Sequence, residues 1–147
     1  MNIEVLIPGE PCAQGRPRFA RRGKFVQTYD PKKSRNWKTD ARECMLRAIP
    51  DASRLPFVAG VPVSVTVISV FTRPAGSYSK REPKGRELKA TRPDVENVVK
   101  AVMDAATGVL WHDDSQVCHL VATKEIGAQD EAPFVRLLVS SAEGKAA

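Results

Sequence analysis

Five carboxylates and a lysine crowd one stretch of this chain, Arg92 to Val117, which reads RPDVENVVKAVMDAATGVLWHDDSQV. Asp94 and Glu96 open it, Lys100 and Asp104 follow at helical spacing, and Asp113 and Asp114 close it. Carboxylates gathered at one point repel each other, and a divalent cation removes the conflict. Hard oxygen donors without a cysteine pair or paired histidines favour Mg²⁺ or Mn²⁺ over zinc. Such an ion can generate a hydroxide nucleophile and stabilise a pentacovalent phosphate. Lys100, one turn beyond Glu96, can stabilise the same charge or position the nucleophile. The expectation is that the strand following Asp114 returns beside the helix start and carries Asp114 toward Asp94 and Glu96. His112 is a candidate general base, although a lone histidine beside aspartates reads first as structural or solvent-exposed. His119, inside a predicted strand, reads the same way.

The helix that positions these groups has a plain division of faces. With Glu96 at zero and about 100° per residue, Lys100 falls near 40°, Asp104 near 80° and Asn97 near 100°. Val98, Val99, Ala101, Val102, Ala105 and Ala106 fill the opposite arc and form the core face. An ordinary account also exists. Asp94 reads equally as an N-cap, and Glu96 with Lys100 as an exposed i, i+4 ion pair.

Charge separates along the chain. Net charge is +6, but Pro11 to Lys38 carries nine Lys/Arg against the single acid Asp30. Thr72 to Arg92 carries seven against two, whereas Asp104 to the C-terminus carries three against seven. Blocks this basic suit phosphate contacts with a steep salt dependence; solvated loops are the plainer reading. The candidate DNA-contacting cations are Arg16, Arg18, Arg21, Arg22 and Lys24 in one block and Lys80, Arg81, Lys84, Arg86 and Lys89 in the other. Phe19 and Tyr29 lie among the first set. They read as core or loop-anchoring aromatics, with stacking on exposed bases as the alternative.

The surrounding elements follow from periodicity. Asn2 to Ile7 reads as a strand rather than a signal peptide, and Phe25 to Tyr29 as half of a basic hairpin or flexible arm. Asp30-Pro31 makes a helix entry, and Trp37, Ala41, Cys44, Met45 and Ala48 mark the buried face of a helix ending near Ile49. Val61 to Phe71 reads as a central strand, Val117 to Ile126 and Phe134 to Ser140 as two closing strands. The basic stretches 9–24 and 72–92 read as mobile loops, and 142–147 as a disordered tail. In the 72–92 stretch nothing offers ordering by burial. The 147 residues thus predict a single mixed α+β domain, one mixed sheet with two main helices packed on it. No apolar run approaches the roughly 18 residues of a membrane span. Three cysteines without CxxC spacing suggest free thiols and cytoplasmic residence.

The run Arg92-Pro-Asp94-Val-Glu96-Asn97-Val-Val-Lys100-Ala-Val-Met-Asp104, followed by Gly108-Val-Leu-Trp-His-Asp113-Asp114-Ser-Gln116-Val117, resembles the signature of the RusA-type Holliday junction resolvases. Gly15-Arg16-Pro17-Arg18 and Lys124 also fit members carried by phages and prophages. The resemblance implies a RusA-like fold and a homodimeric endodeoxyribonuclease, acting in DNA recombination and repair. It would bind four-way junctions and nick two opposed strands with Mg²⁺ or Mn²⁺, without a nucleotide cofactor or a membrane. By position, Asp94, Glu96 and Asp114 would be metal ligands and Lys100 the catalytic lysine, with Asn97, Asp104 and Asp113 in support. Where the family usually has a second aspartate, this chain has Glu96, one methylene longer, a change to which the tight geometry of Mg²⁺ is sensitive. Three other readings compete: a broader branched-DNA or flap nuclease, a junction-binding protein with a weakened site, and a protein-interaction factor using its basic arms.

Overall fold

Strands and helices follow in the order the sequence predicts: β1 (Asn2–Pro8), β2 (Arg18–Arg22), β3 (Phe25–Tyr29), α1 (Lys32–Ala48), β4 (Val63–Phe71), β5 (Glu87–Leu88), α2 (Val95–Ala106), β6 (Val117–Ile126) and β7 (Phe134–Ser141). Only β5, a two-residue strand inside the long basic loop, has no counterpart in the pattern. The computed structural model describes residues 1–29 and 31–142. Asp30, the expected N-cap of α1, and residues 143–147 of the expected tail lie outside them. Ala142, placed by the sequence in that tail, is held by a hydrogen bond from its N–H to Pro62 O.

One five-stranded sheet has the order β1-β7-β4-β6-β5, with β4 parallel to β6 and the other pairs antiparallel. Alternation buries Ile3, Val5 and Ile7 of β1, Val63, Val65 and Val67 of β4, and Val135, Leu137 and Val139 of β7. Both helices close this core, α1 through Trp37, Ala41 and Met45 and α2 through Ala101, Val102 and Ala105. Two α1 cations cap the far end of α2. Arg42 donates to the carbonyls of Asp104 and Ala105, and Lys38 pairs with the Asp104 carboxylate at 3.2 Å. Cations suit a helix C-terminus because the last carbonyls there carry partial negative charge.

The crossover β4–α2–β6 decides where the functional groups lie. Parallel strands need the connecting helix to run back antiparallel to them. The loop entering α2 therefore sits at the C-terminal ends of β4 and β6, and the loop leaving α2 at their N-terminal ends.

Between β4 and α2 the long basic loop is ordered by polar clamps. Arg73, buried, donates to Gly127 O (2.9 Å), Gly85 O (2.9 Å) and Glu87 Oε1 (3.0 Å). Gln129 Oε1 accepts from the N–H groups of Ser79 and Lys84. Arg86 binds Glu131 through two nitrogens, and that bond holds the Glu131 carboxyl down to about 2. Removing Arg73 leaves two inward-facing carbonyls without donors. Arg73→Ala is expected to destabilise the fold by about 3 kcal/mol, read as a lowered urea midpoint at unchanged slope.

Candidate active site

Asp94 occupies the N-cap position of α2 with extended backbone, and its carbonyl accepts from Asn97 and Val98 N–H. Its carboxylate makes no capping hydrogen bond, so the plain N-cap account of this residue fails. Glu96 follows in the exposed first turn, and Lys100 is exposed one turn further on. Among the described residues no ion pair joins Glu96 to Lys100. The stretch thus presents two uncommitted carboxylates and a lysine at one helix end, where the helix dipole favours negative charge.

The loop that delivers Asp94 is fixed from the sheet. Lys124, near the end of β6, donates its ammonium to Thr91 O (2.7 Å) and Pro93 O (2.5 Å). From the other side, Gln14 N–H bonds Asn97 O at 2.8 Å, and Gly15 N–H bonds the buried Ser34 hydroxyl at 3.0 Å. A Cβ on Gly15 would lie 2.6 Å from the Pro31 ring, so the chain can pass there only as glycine. This brings Arg16 over the helix start. Arg16, Arg92, Pro93, Asp94 and Asn97 line a cleft of about 350 Å³. A second cleft of about 680 Å³ shares Arg92 and Pro93 and adds Arg18, Lys33 and Lys89. Carboxylates set among cations at the carboxyl ends of parallel strands are placed as ligand sites in α/β sheets commonly are.

Asp114 lies elsewhere, and the expected approach to Asp94 and Glu96 within one chain does not occur. A strand parallel to β4 begins at the end of α2, not at its start. Asp114, just ahead of β6, therefore sits at the helix C-terminus, roughly 18 Å away at 1.5 Å per residue over α2. Its Oδ1 accepts from the Thr107 hydroxyl (2.5 Å) and the buried Trp111 Nε1 (2.9 Å), which fixes the carboxylate and leaves Oδ2 for another partner. Among the described residues no group of three His, Cys, Asp or Glu side chains could hold a metal.

The remaining expected residues sort by position. Asn97 joins the cleft. Asp104 is engaged by Lys38 and serves the α1–α2 contact, away from Asp94. Asp113 caps the short turn into β6; hydrogen bonds from the Ser115 side chain and N–H hold its carboxyl below the usual range. His112 and His119 are exposed. Of the basic residues, Arg16, Arg18 and Lys89 line the two clefts, and Arg21, Arg22 and Lys24 stand on the β2–β3 hairpin. Lys80, Arg81 and Lys84 are exposed on the long loop. Arg86 is instead committed to Glu131 and Glu125.

Two polar residues matter more than periodicity suggests. Gln116 is buried; its amide oxygen accepts from His112 and Asp113 N–H, and its nitrogen donates to Val58 and Val61 carbonyls, locking the loop that carries Asp114. A glutamine just ahead of an apolar strand gives no local sign of that role. Lys124, in contrast, breaks the apolar run of β6, and a lysine there is a signal. Its two bonds hold the loop that carries Asp94. Lys124→Met is expected to lower the rate of any reaction that Asp94 serves by roughly 10–100-fold, with ligand affinity little changed and Lys124→Arg restoring part of the rate. Single-turnover kinetics beside binding curves would separate the two effects.

The donor set at Asp94 and Glu96 fits Mg²⁺ or Mn²⁺. Both donors are hard oxygens, and Mg²⁺ is commonly held by one or two carboxylates with waters and substrate phosphate completing its shell. Arg16 and Arg92 add positive charge to the cleft beside Asp94.

Residues 8–137 match the family described as Endodeoxyribonuclease RusA. The chain is also similar to an uncharacterized protein, YqaN, of Bacillus subtilis (strain 168). The two are 34% identical over 142 residues, covering 93% of this chain and 94% of that one.

Proposed function

The chain belongs to the RusA endodeoxyribonuclease family, and from that membership we propose a metal-dependent, homodimeric nuclease that resolves four-way DNA junctions by paired nicks. The observation that carries this reading is the cleft where Asp94 and Asn97 meet Arg16 and Arg92, with Glu96 and Lys100 on the adjoining turn of α2. Asp94 and Glu96 would hold the divalent ion. When bound, that ion supplies an acidified water and neutralises the developing charge on phosphate. Arg16 and Arg92 bind and orient the phosphodiester, and Lys100 offsets negative charge on its oxygens. Lys124 keeps Asp94 at its post.

The distance to Asp114 supports the two-fold assembly. β5 pairs β6 only at Glu125 and Ile126, so most of that edge of β6 lacks a ladder partner among the described residues. Leu120 and Val121 are 47% and 58% exposed there, an unusual state for apolar residues of a strand next to the sheet centre. Two β6 edges paired antiparallel about the Leu120–Val121 midpoint set Val117 opposite Lys124. The partner's Asp114 then arrives beside the loop that Lys124 holds, next to Asp94. Each active site would be completed in trans, and the two would be related by the same two-fold as the junction.

The test compares a labelled four-way junction with a flap and a plain duplex of matched sequence. Symmetric nicks on the junction support the proposal. Equal cutting of flap and duplex would favour a broader nuclease, and binding without product in either metal a weakened one.

A further inference from the structure

The β2–β3 hairpin forms its own two-stranded sheet, apart from the five-stranded one. None of its described residues is buried, yet Phe19 is 72% exposed, Phe25 80% and Val26 64%. Isolated hairpins are marginal in water, and uncovered aromatics on one call for a partner. The pairing register sorts its faces. Arg18 faces Tyr29, Ala20 faces Gln27 and Arg22 faces Phe25 on one side, where Ala20, Arg22, Gln27 and Tyr29 border a cleft with Arg35 of α1. Phe19 with Thr28 and Arg21 with Val26 make the other side, on which Phe19 and Val26 stand exposed. An apolar ring and a valine thus stand together between cations.

The hairpin's charge selects its partner. Arg18, Arg21, Arg22 and Lys24 are present between Arg18 and Tyr29 without a single acid. Its base lies on the active-site cleft, Arg16 lining that cleft with Asp94 and Arg18 the adjoining one. Five residues per strand reach about 17 Å at roughly 3.3 Å per residue, close to five stacked bases at about 3.4 Å each. A polyanion whose hydrophobic faces are open within that distance of the reacting phosphate is DNA with unstacked bases. Intact duplex hides those faces; the branch point of a junction exposes them.

We propose that the outer face of the β2–β3 hairpin, through Phe19 and Val26, enters the branch point and stacks on its unpaired bases, making it the element that separates a junction from duplex. This rests on the nuclease reading above and adds to it the source of substrate selectivity. Stacking on an aromatic ring tolerates every base, so the selectivity is for branching and not for sequence.

The experiment places 2-aminopurine beside the branch point of a four-way junction and titrates it with Asp94→Asn protein, carrying either the native hairpin, Phe19→Ala or Phe19→Tyr. The expected result is a fluorescence change on binding that Phe19→Ala removes and Phe19→Tyr keeps. In the Asp94 background, Phe19→Ala should weaken junction binding and cutting by roughly tenfold or more while duplex binding stays unchanged. An unaltered fluorescence response and cutting rate with Phe19→Ala would overturn the proposal. So would conversion of a dimer to a monomer by Phe19→Ala in sedimentation, which would make the hairpin a contact between copies of this chain. If native protein cuts the junction and Phe19→Ala changes nothing, only the wedge fails. If native protein neither binds nor cuts, the nuclease reading fails and takes the wedge with it.

Discussion

Asp94→Asn is expected to abolish junction cleavage while leaving junction binding within about twofold. The carboxylate is exposed, makes no capping hydrogen bond and has no ion pair among the described residues, so its loss costs the fold almost nothing. On the proposed function the variant loses the negative charge that would hold a divalent ion against phosphate, worth several kcal/mol in the transition state. A rate loss of at least about 1,000-fold corresponds to about 4 kcal/mol. Binding should persist because Arg16 and Arg92, the cleft cations proposed to contact phosphate, are untouched. Cleavage in single-turnover assays and binding by gel shift, both at one stated salt concentration, check the two halves. Loss of binding with cleavage per bound complex intact would place Asp94 in recognition instead.

The second large effect concerns Asp114, and its decisive form is a mixture. Asp114→Asn alone should be as inactive as Asp94→Asn. Its Oδ1 contacts to Thr107 and Trp111 are of a kind an amide oxygen can accept, so the fold should survive. If the protein is the two-fold dimer proposed above, mixed dimers form when the two inactive proteins are unfolded together and refolded. If each site takes Asp94 from one chain and Asp114 from the other, one site of every mixed dimer is intact. Nicking activity should then reappear, with single nicks in place of paired ones. If both residues served the same chain's site, every site in the mixture would remain defective. No recovery on mixing would therefore contradict the trans arrangement, whatever the activity of the unmixed protein.

Much of this was legible in the residues, for identifiable reasons. Val63, Val65 and Val67 alternate without interruption, and Trp37, Ala41 and Met45 fall at helical spacing, so strand and helix declare themselves. Helical spacing puts Glu96, Lys100, Asp104 and Asn97 on one polar stripe of α2, with Asp94 at the helix entry. The end of α2 at which Asp114 lies is not legible locally, because sequence proximity to a strand says nothing about that strand's direction. A parallel β6 follows from the length of the crossover, a long-range property, and it reverses the end of the helix at which Asp114 lies. The long loop looked unable to order itself because its order comes from Arg73, Gln129 and Glu131, single polar residues whose partners are over 40 residues away in most cases. Hydrophobicity alone makes Phe19 a core or loop-anchoring residue; the hairpin register instead puts the ring on the face away from Arg35, where it is exposed.

The most direct measurement is linearisation of a plasmid that extrudes a cruciform. Paired nicks across the cruciform within one bound complex give linear product, whereas independent nicks give open circles first. Linear product is expected with Mg²⁺ or Mn²⁺, none with chelator, and none from the same plasmid relaxed so that the cruciform is absorbed. Failure of either metal to support cutting, or cutting at the same rate with and without the cruciform, would contradict the proposed function.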